Sequence, residues 1–118
     1  MIGVPRALGI DLDDEAIRVA AENARINEVG DRLQLQRGGP ETVTGTWSLV
    51  LANVLAAPLI EMAPALVRRI GHHGWLVLSG IPSSAESDVD QAYRRLGMRR
   101  LRVTSRAGWV ALELHASW

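Results

Sequence analysis

Two polar residues in this 118-residue chain stand at the carboxyl ends of apolar runs, where each could meet a ligand. Asp11 follows Ala7-Leu8-Gly9-Ile10, and Asn53 follows Leu49-Val50-Leu51-Ala52. In an open parallel sheet, ligands bind beyond the carboxyl ends of the strands, near the point where strand order reverses. A carboxylate placed there can accept hydrogen bonds from both hydroxyls of a ribose. A carboxamide is donor and acceptor at once, which suits an amine or an amino-acid group beside a reactive centre. Each residue also has a plainer role. Asp11 can cap the helix that follows it, as Asp13 also can, and Asn53 can simply form a turn. Spacing alone leaves both readings of each residue open.

Other clusters carry less. His72-His73 suggests a metal, but adjacent histidines point apart and the sequence offers no third ligand, so a solvated turn is the expectation. Arg94-Arg95 with Arg99-Arg100-Arg102 could contact an acidic substrate or RNA. Without an interleaved aromatic platform they read as a solvated helix end and edge strand. Trp47, Trp75, Trp109 and Trp118 are expected in core or edge packing, and Met62 and Met98 as core filler.

The elements that position these residues follow from hydrophobic period and punctuation. Arg6 to Ile10 reads as a buried strand, and a helix follows from about Asp13 to Asn27. Its apolar stripe is Ile17, Ala20, Ala21, Ala24 and Ile26, with a Glu22/Arg25 surface pair and Gly30 as stop. Leu33 to Gln36 alternates like a half-buried or edge strand until Gly38-Gly39-Pro40 breaks it. Leu49 to Ala52 is a continuous apolar run, as expected of a parallel strand buried on both faces. Ala56 to Ile70 has helical spacing, with Pro64 obliged to sit in a first turn or kink the helix. Trp75 to Ile81 reads as a strand and Ser84 to Leu96 as an amphipathic helix ended by Gly97. Arg100 to Thr104 and Trp109 to Leu114 alternate, and the link between them is short enough only for a hairpin. The order predicts an α/β domain with a largely parallel sheet and a terminal antiparallel hairpin.

Composition narrows the function classes. Hydrophobic residues at 47% and charged residues at 22% are ordinary for a globular protein. The absence of cysteine removes disulfides, thiolate nucleophiles and Cys-type metal sites. Thirteen basic residues, all arginine, balance thirteen acidic ones, so no global field draws in nucleic acid or anionic membrane. The longest apolar stretch, Leu49 to Ile60, carries Asn53 and Pro58 and falls short of the roughly 20 residues a membrane span needs. Met1 to Arg6 shows no secretory pattern, so a cytoplasmic protein is the expectation.

Several segments together resemble the PrmA family of methyltransferases, which use S-adenosyl-L-methionine (SAM) to modify a large-subunit ribosomal protein. They are Gly9-Ile10-Asp11-Leu12-Asp13, Glu22-Asn23-Ala24, Leu51-Ala52-Asn53-Val54-Leu55-Ala56-Ala57-Pro58-Leu59, Gly74 to Ile81 and Gly108 to Leu112. The Ala-Asn-Val-Leu-Ala segment is the most specific of them. The resemblance implies a Rossmann-like sheet in which Asp11 binds the ribose of SAM and Asn53 lies near the methionine end, where the methyl is transferred. It implies a ribosomal protein as substrate, modified on a lysine or α-amino nitrogen, without direct nucleic-acid binding. An in-line displacement of that kind rests on positioning and desolvation and needs no covalent enzyme intermediate.

This chain departs from the family pattern at Ser48, where an aspartate is usual, and at Ala57, where glycine is common. The family's Asp-x-Gly-x-Gly-x-Gly strand-turn-helix is expected just before Arg6, and an N-terminal substrate-recognition domain before that. Residues 1–118 thus read as a single, truncated methyltransferase domain lacking the usual first strand, central in the family order 3-2-1-4-5-7-6. The strands at Arg6–Ile10 and Leu49–Ala52 would then each leave an unpaired edge, a costly arrangement. They can pair with each other, or a partner chain, including a second copy in a homo-oligomer, can supply a strand, or the sequence is a fragment. The alternative function is a non-catalytic remnant or interaction module with an incomplete SAM pocket.

Overall fold

The computed structural model describes residues 7–11, 33–37, 39–42 and 44–118. Its strands are β1 (Ala7–Asp11), β2 (Leu33–Arg37), β3 (Trp47–Asn53), β4 (Ile70–Pro82), β5 (Met98–Arg106) and β6 (Trp109–Ala116). Among the described residues the helices are α1 (Ala56–Glu61), α2 (Ala63–Val67) and α3 (Glu86–Arg94). The helix expected from Asp13 to Asn27 lies outside the described residues, together with its cap, its Glu22/Arg25 pair and its Gly30 stop.

The sheet has the order β2-β1-β3-β4-β6-β5. Strands β1 to β4 run parallel, β6 is antiparallel to β4, and β5 is antiparallel to β6. This is the α/β architecture the sequence predicts, hairpin included. Of the arrangements the sequence leaves open for the two central strands, direct pairing is the one the structure adopts. β1 and β3 pair directly, from Ala7 opposite Leu49 to Asp11 opposite Asn53. Both strands are apolar runs whose backbone N–H and C=O groups have no water to turn to, so each satisfies the other.

Register explains the core. Leu8, Val50, Leu76 and Leu114 lie side by side across four strands, and Ile10, Ala52, Leu78 and Leu112 form a second row beside them. Every one of these eight is at most 2% exposed. The helices lay Leu59, Ala63, Leu66, Val89 and Tyr93 against these rows. Each fully buried Leu or Ile contributes roughly 1.5–3 kcal/mol relative to exposure, so among the described residues this one face carries most of the hydrophobic stabilisation.

The segment expected as one helix from Ala56 to Ile70 is two. Pro64 cannot donate a backbone hydrogen bond and its ring crowds the preceding turn. The chain therefore breaks at Met62 and restarts with Pro64 in the first turn of α2. The Tyr93 hydroxyl donates to the Leu59 carbonyl at 2.7 Å, tying α3 to α1. The helical stretch stops at Val67 because Ile70 already pairs with Trp47 in the sheet. His72 and His73 therefore lie in β4, in a bulge between the Ile70 and Trp75 pairings, where the sequence suggests a turn. The His73 N–H donates to the Trp118 carbonyl at 2.8 Å, which holds that irregular stretch to the chain end. The β5–β6 link is a two-residue turn with positive φ at both Ala107 (51°) and Gly108 (84°), the geometry that matches the twist of paired strands. No described helix is long and apolar enough to cross a membrane.

Candidate functional site

The crevice follows from topology. From β1 the chain steps outward to β2, whereas from β3 it steps the other way to β4, so strand order reverses between β1 and β3. The carboxyl ends of these two strands are Asp11 and Asn53, opposite each other in the ladder. The two residues singled out by spacing, one-third of the chain apart, thus occupy adjacent positions at the switch point. Asn53 is exposed and Ala52 beside it is buried, so the strand delivers its last residue to the surface from a fixed base.

On its other side Asn53 is opposite Ser79, and there β4 is irregular. Leu78 pairs with Leu112 and the next pair is Ile81 with Val110, three residue steps on β4 against two on β6. That is a β-bulge, a device that bends a strand and re-aims neighbouring groups. Gly80 sits inside it with φ +75°. A Cβ placed on Gly80 would lie 2.5 Å from the Asn53 Oδ1 atom, so the amide side chain rests over bare glycine backbone. In the sequence Gly80 stands only within the resembling segment Gly74 to Ile81. An isolated glycine within a strand pattern is the signal that could have marked it.

The departures from the family pattern have small local consequences. Ser48 is half-buried on β3, and Ala57 is exposed in the first turn of α1, where a methyl group meets no packing demand. Leu55, between Asn53 and α1, is 68% exposed. It is the N-cap of α1, two residues after Asn53.

Most of the histidine and arginine candidates collect near the amino-terminal end of β4 and the strands beside it. The His73 and His115 rings stack with centroids 6.2 Å apart, and Trp75 lies against His115 at 4.6 Å. Arg94, Arg99 and Arg100 line a concavity with Gly97, Met98 and Ser117. Arg94 reaches Asp90 at 3.5 Å, and Arg100 reaches Glu86 at 3.5 Å and Asp90 at 3.9 Å. Arg102 reaches Glu113 at 3.6 Å on the next strand. These acids offset most of the local positive charge. The tryptophans divide: Trp47 is 6% exposed and belongs to the core, whereas Trp109 is 54% exposed on the hairpin.

Comparison with known proteins gives one consistent result. A family model described as ribosomal protein L11 methyltransferase (PrmA) matches residues 1–117. The ribosomal protein L11 methyltransferase of Geotalea daltonii is 34% identical over 114 residues, covering 97% of this chain and 36% of its own length. That of Rhizobium rhizogenes is 38% identical over 112 residues, covering 91% of this chain and 38% of its own. The chain therefore spans little more than a third of these curated relatives. The crystal structure of ribosomal protein L11 methylase from Lactobacillus delbrueckii subsp. bulgaricus superposes with a TM-score of 0.74 at 25% identity, over 96% of this chain and 59% of that one. An RNA methyltransferase from Salinibacter ruber, solved in complex with S-adenosyl-L-homocysteine, shares the fold at a TM-score of 0.57 and 16% identity, over 93% of this chain and 65% of that one.

Proposed function

We infer the function from one premise: the chain belongs to the ribosomal protein L11 methyltransferase (PrmA) family. The reading is a single SAM-dependent methyltransferase domain, acting in the cytoplasm on a lysine or α-amino nitrogen of a ribosomal protein. Asp11 and Asn53 are its cofactor contacts, with Asn53 nearest the transfer. The observation that supports it most is the alignment of an acid and an amide at the switch point of a parallel sheet.

The donor set suits SAM. A carboxylate at Asp11 accepts from ribose hydroxyls, and the Asn53 carboxamide can both donate to and accept from an amino-acid end or an incoming amine. When bound, the cofactor supplies an electrophilic methyl group on a sulfonium. The chain's own part is to orient and to exclude water. Asn53 stands on a strand whose preceding residue is buried, which fixes the amide's origin. No side chain has to become a nucleophile, in keeping with an uncysteined chain whose catalysis rests on positioning.

Titration of the chain with S-adenosylhomocysteine by calorimetry tests this reading. Micromolar affinity is expected, weakened about tenfold or more by Asp11→Ala, the value of a charge-assisted hydrogen bond or two. Absence of heat at millimolar ligand would reject it. A second reading, a module that keeps the sheet but holds cofactor weakly, draws on the direct β1–β3 contact. Neighbouring strands stand about 4.8 Å apart, which leaves a narrow floor between the two residues, and the same titration separates the readings.

A further inference from the structure

We propose that Gly80 is a positioning residue for Asn53, holding its carboxamide over the crevice by leaving the space that any larger residue would fill. This deepens the methyltransferase reading and rests on it for the role of Asn53. Three observations converge on one glycine. The bulge in β4 falls between Leu78 and Ile81, directly beside the position opposite Asn53. Gly80 has φ +75°, a conformation that side chains rarely adopt. Its missing Cβ would stand 2.5 Å from Asn53 Oδ1 and 3.7 Å from Asn53 Cγ.

Which partner must give way is decided by the surroundings. The backbone on either side of Gly80 is pinned by the Leu78–Leu112 and Ile81–Val110 pairings. Asn53, in contrast, ends its strand and is exposed, and its side chain turns about two torsions. Adding a Cβ therefore displaces the amide, not the sheet. The bare backbone at Gly80 gives the amide oxygen a place that a substituted residue denies it, so the carboxamide can keep this position before ligand arrives.

The test compares Gly80→Ala, Gly80→Asn, Asn53→Ala and the Gly80→Ala/Asn53→Ala pair in the intact chain. Asparagine tolerates positive φ better than alanine, so Gly80→Asn keeps the added Cβ while relieving backbone strain, and serves if the alanine variant does not fold. Each single variant should weaken S-adenosylhomocysteine binding by about tenfold, and the double variant should bind no more weakly than Asn53→Ala alone. In two-dimensional amide NMR, the Asn53 side-chain pair, identified by its loss in Asn53→Ala, should shift in the folded Gly80 variants. Losses that multiply in the double variant, or an Asn53 amide unmoved in a folded Gly80 variant, would overturn the proposal. If the unsubstituted chain gives no heat, the methyltransferase reading fails by itself, and the Asn53 amide signal still decides whether Gly80 positions that side chain.

Discussion

The two halves of the sheet meet at β4 and differ in what they expose. On the parallel side, β1 and β3 are short, their carboxyl ends carry Asp11 and Asn53, and every strand connection has to cross over the sheet. On the antiparallel side, β5 and β6 are longer, joined by a two-residue turn, and β5 is exposed from Arg99 to its end. Local pairing stabilises the hairpin, but it cannot create a reversal of strand order. The parallel half can, and the chemistry-bearing residues lie there. β4 serves both: Leu76 and Leu78 pair into each half, while the bulge at Gly80 adjusts the edge that faces Asn53.

The largest effect that can sharpen this comparison comes from making one change in both halves. Leu76→Ala empties a fully buried position in the shared strand and should lower unfolding free energy by about 3 kcal/mol, whereas Leu101→Ala on β5 should cost less than about 0.5 kcal/mol. Leu101 is 52% exposed, and denaturant titration of both variants reads the difference directly. Comparable losses would mean that the hairpin is packed more tightly than its exposure implies.

Tyr93 connects the halves through α3 and its bond to the Leu59 carbonyl. Tyr93→Phe should cost about 1 kcal/mol. Burial also raises the Tyr93 hydroxyl pKa well above its ordinary value. In the unfolded chain the group loses its proton above about pH 10, while in the native state it keeps it. The unfolded state then binds fewer protons, so stability present below that pH declines as pH rises beyond it. The chain has one tyrosine, no cysteine and no lysine, so this decline should be unusually clean. Thermal melts between pH 9 and 11 should show it in the native sequence and lose it in Tyr93→Phe (that pH range is about one unit either side of tyrosine's ordinary value).

A smaller change in the opposite direction tests whether the hairpin can be stabilised without touching the crevice. Ala107 holds φ 51°, which disfavours alanine, and Ala107→Asn places Asn-Gly in the turn. Stability should rise by about 0.5–1 kcal/mol, with S-adenosylhomocysteine affinity unchanged. A change in affinity would show that the halves are coupled through β4.

Strand identity was legible wherever the signal was local. The run Leu49 to Ala52 marked β3, and Gly97 marked the end of α3, with φ +94°. What escaped depends on distant partners. Trp47 and Ser48 extend β3 because Trp47 finds Ile70, and His72–His73 remain in β4 because the chain end pairs back onto them. Pro64 announced a break in the helix, but not on which side the chain would restart. For the crevice, the residue types at Asp11 and Asn53 were visible in the sequence. Their adjacency was not, since it depends on β1 pairing with β3, forty residues away. Gly80 was harder still, because a bulge exists only relative to the strand opposite it.

The outermost strand has a consequence of its own. β5 ends the sheet, and Arg99, Arg100, Arg102 and Arg106 all face solvent along it. Arg100 and Arg102 are tethered there by Glu86, Asp90 and Glu113, so this margin carries charged groups already held in place by their neighbours. Charged side chains along a bare sheet margin are one of the ways such an edge is kept from adding a further strand.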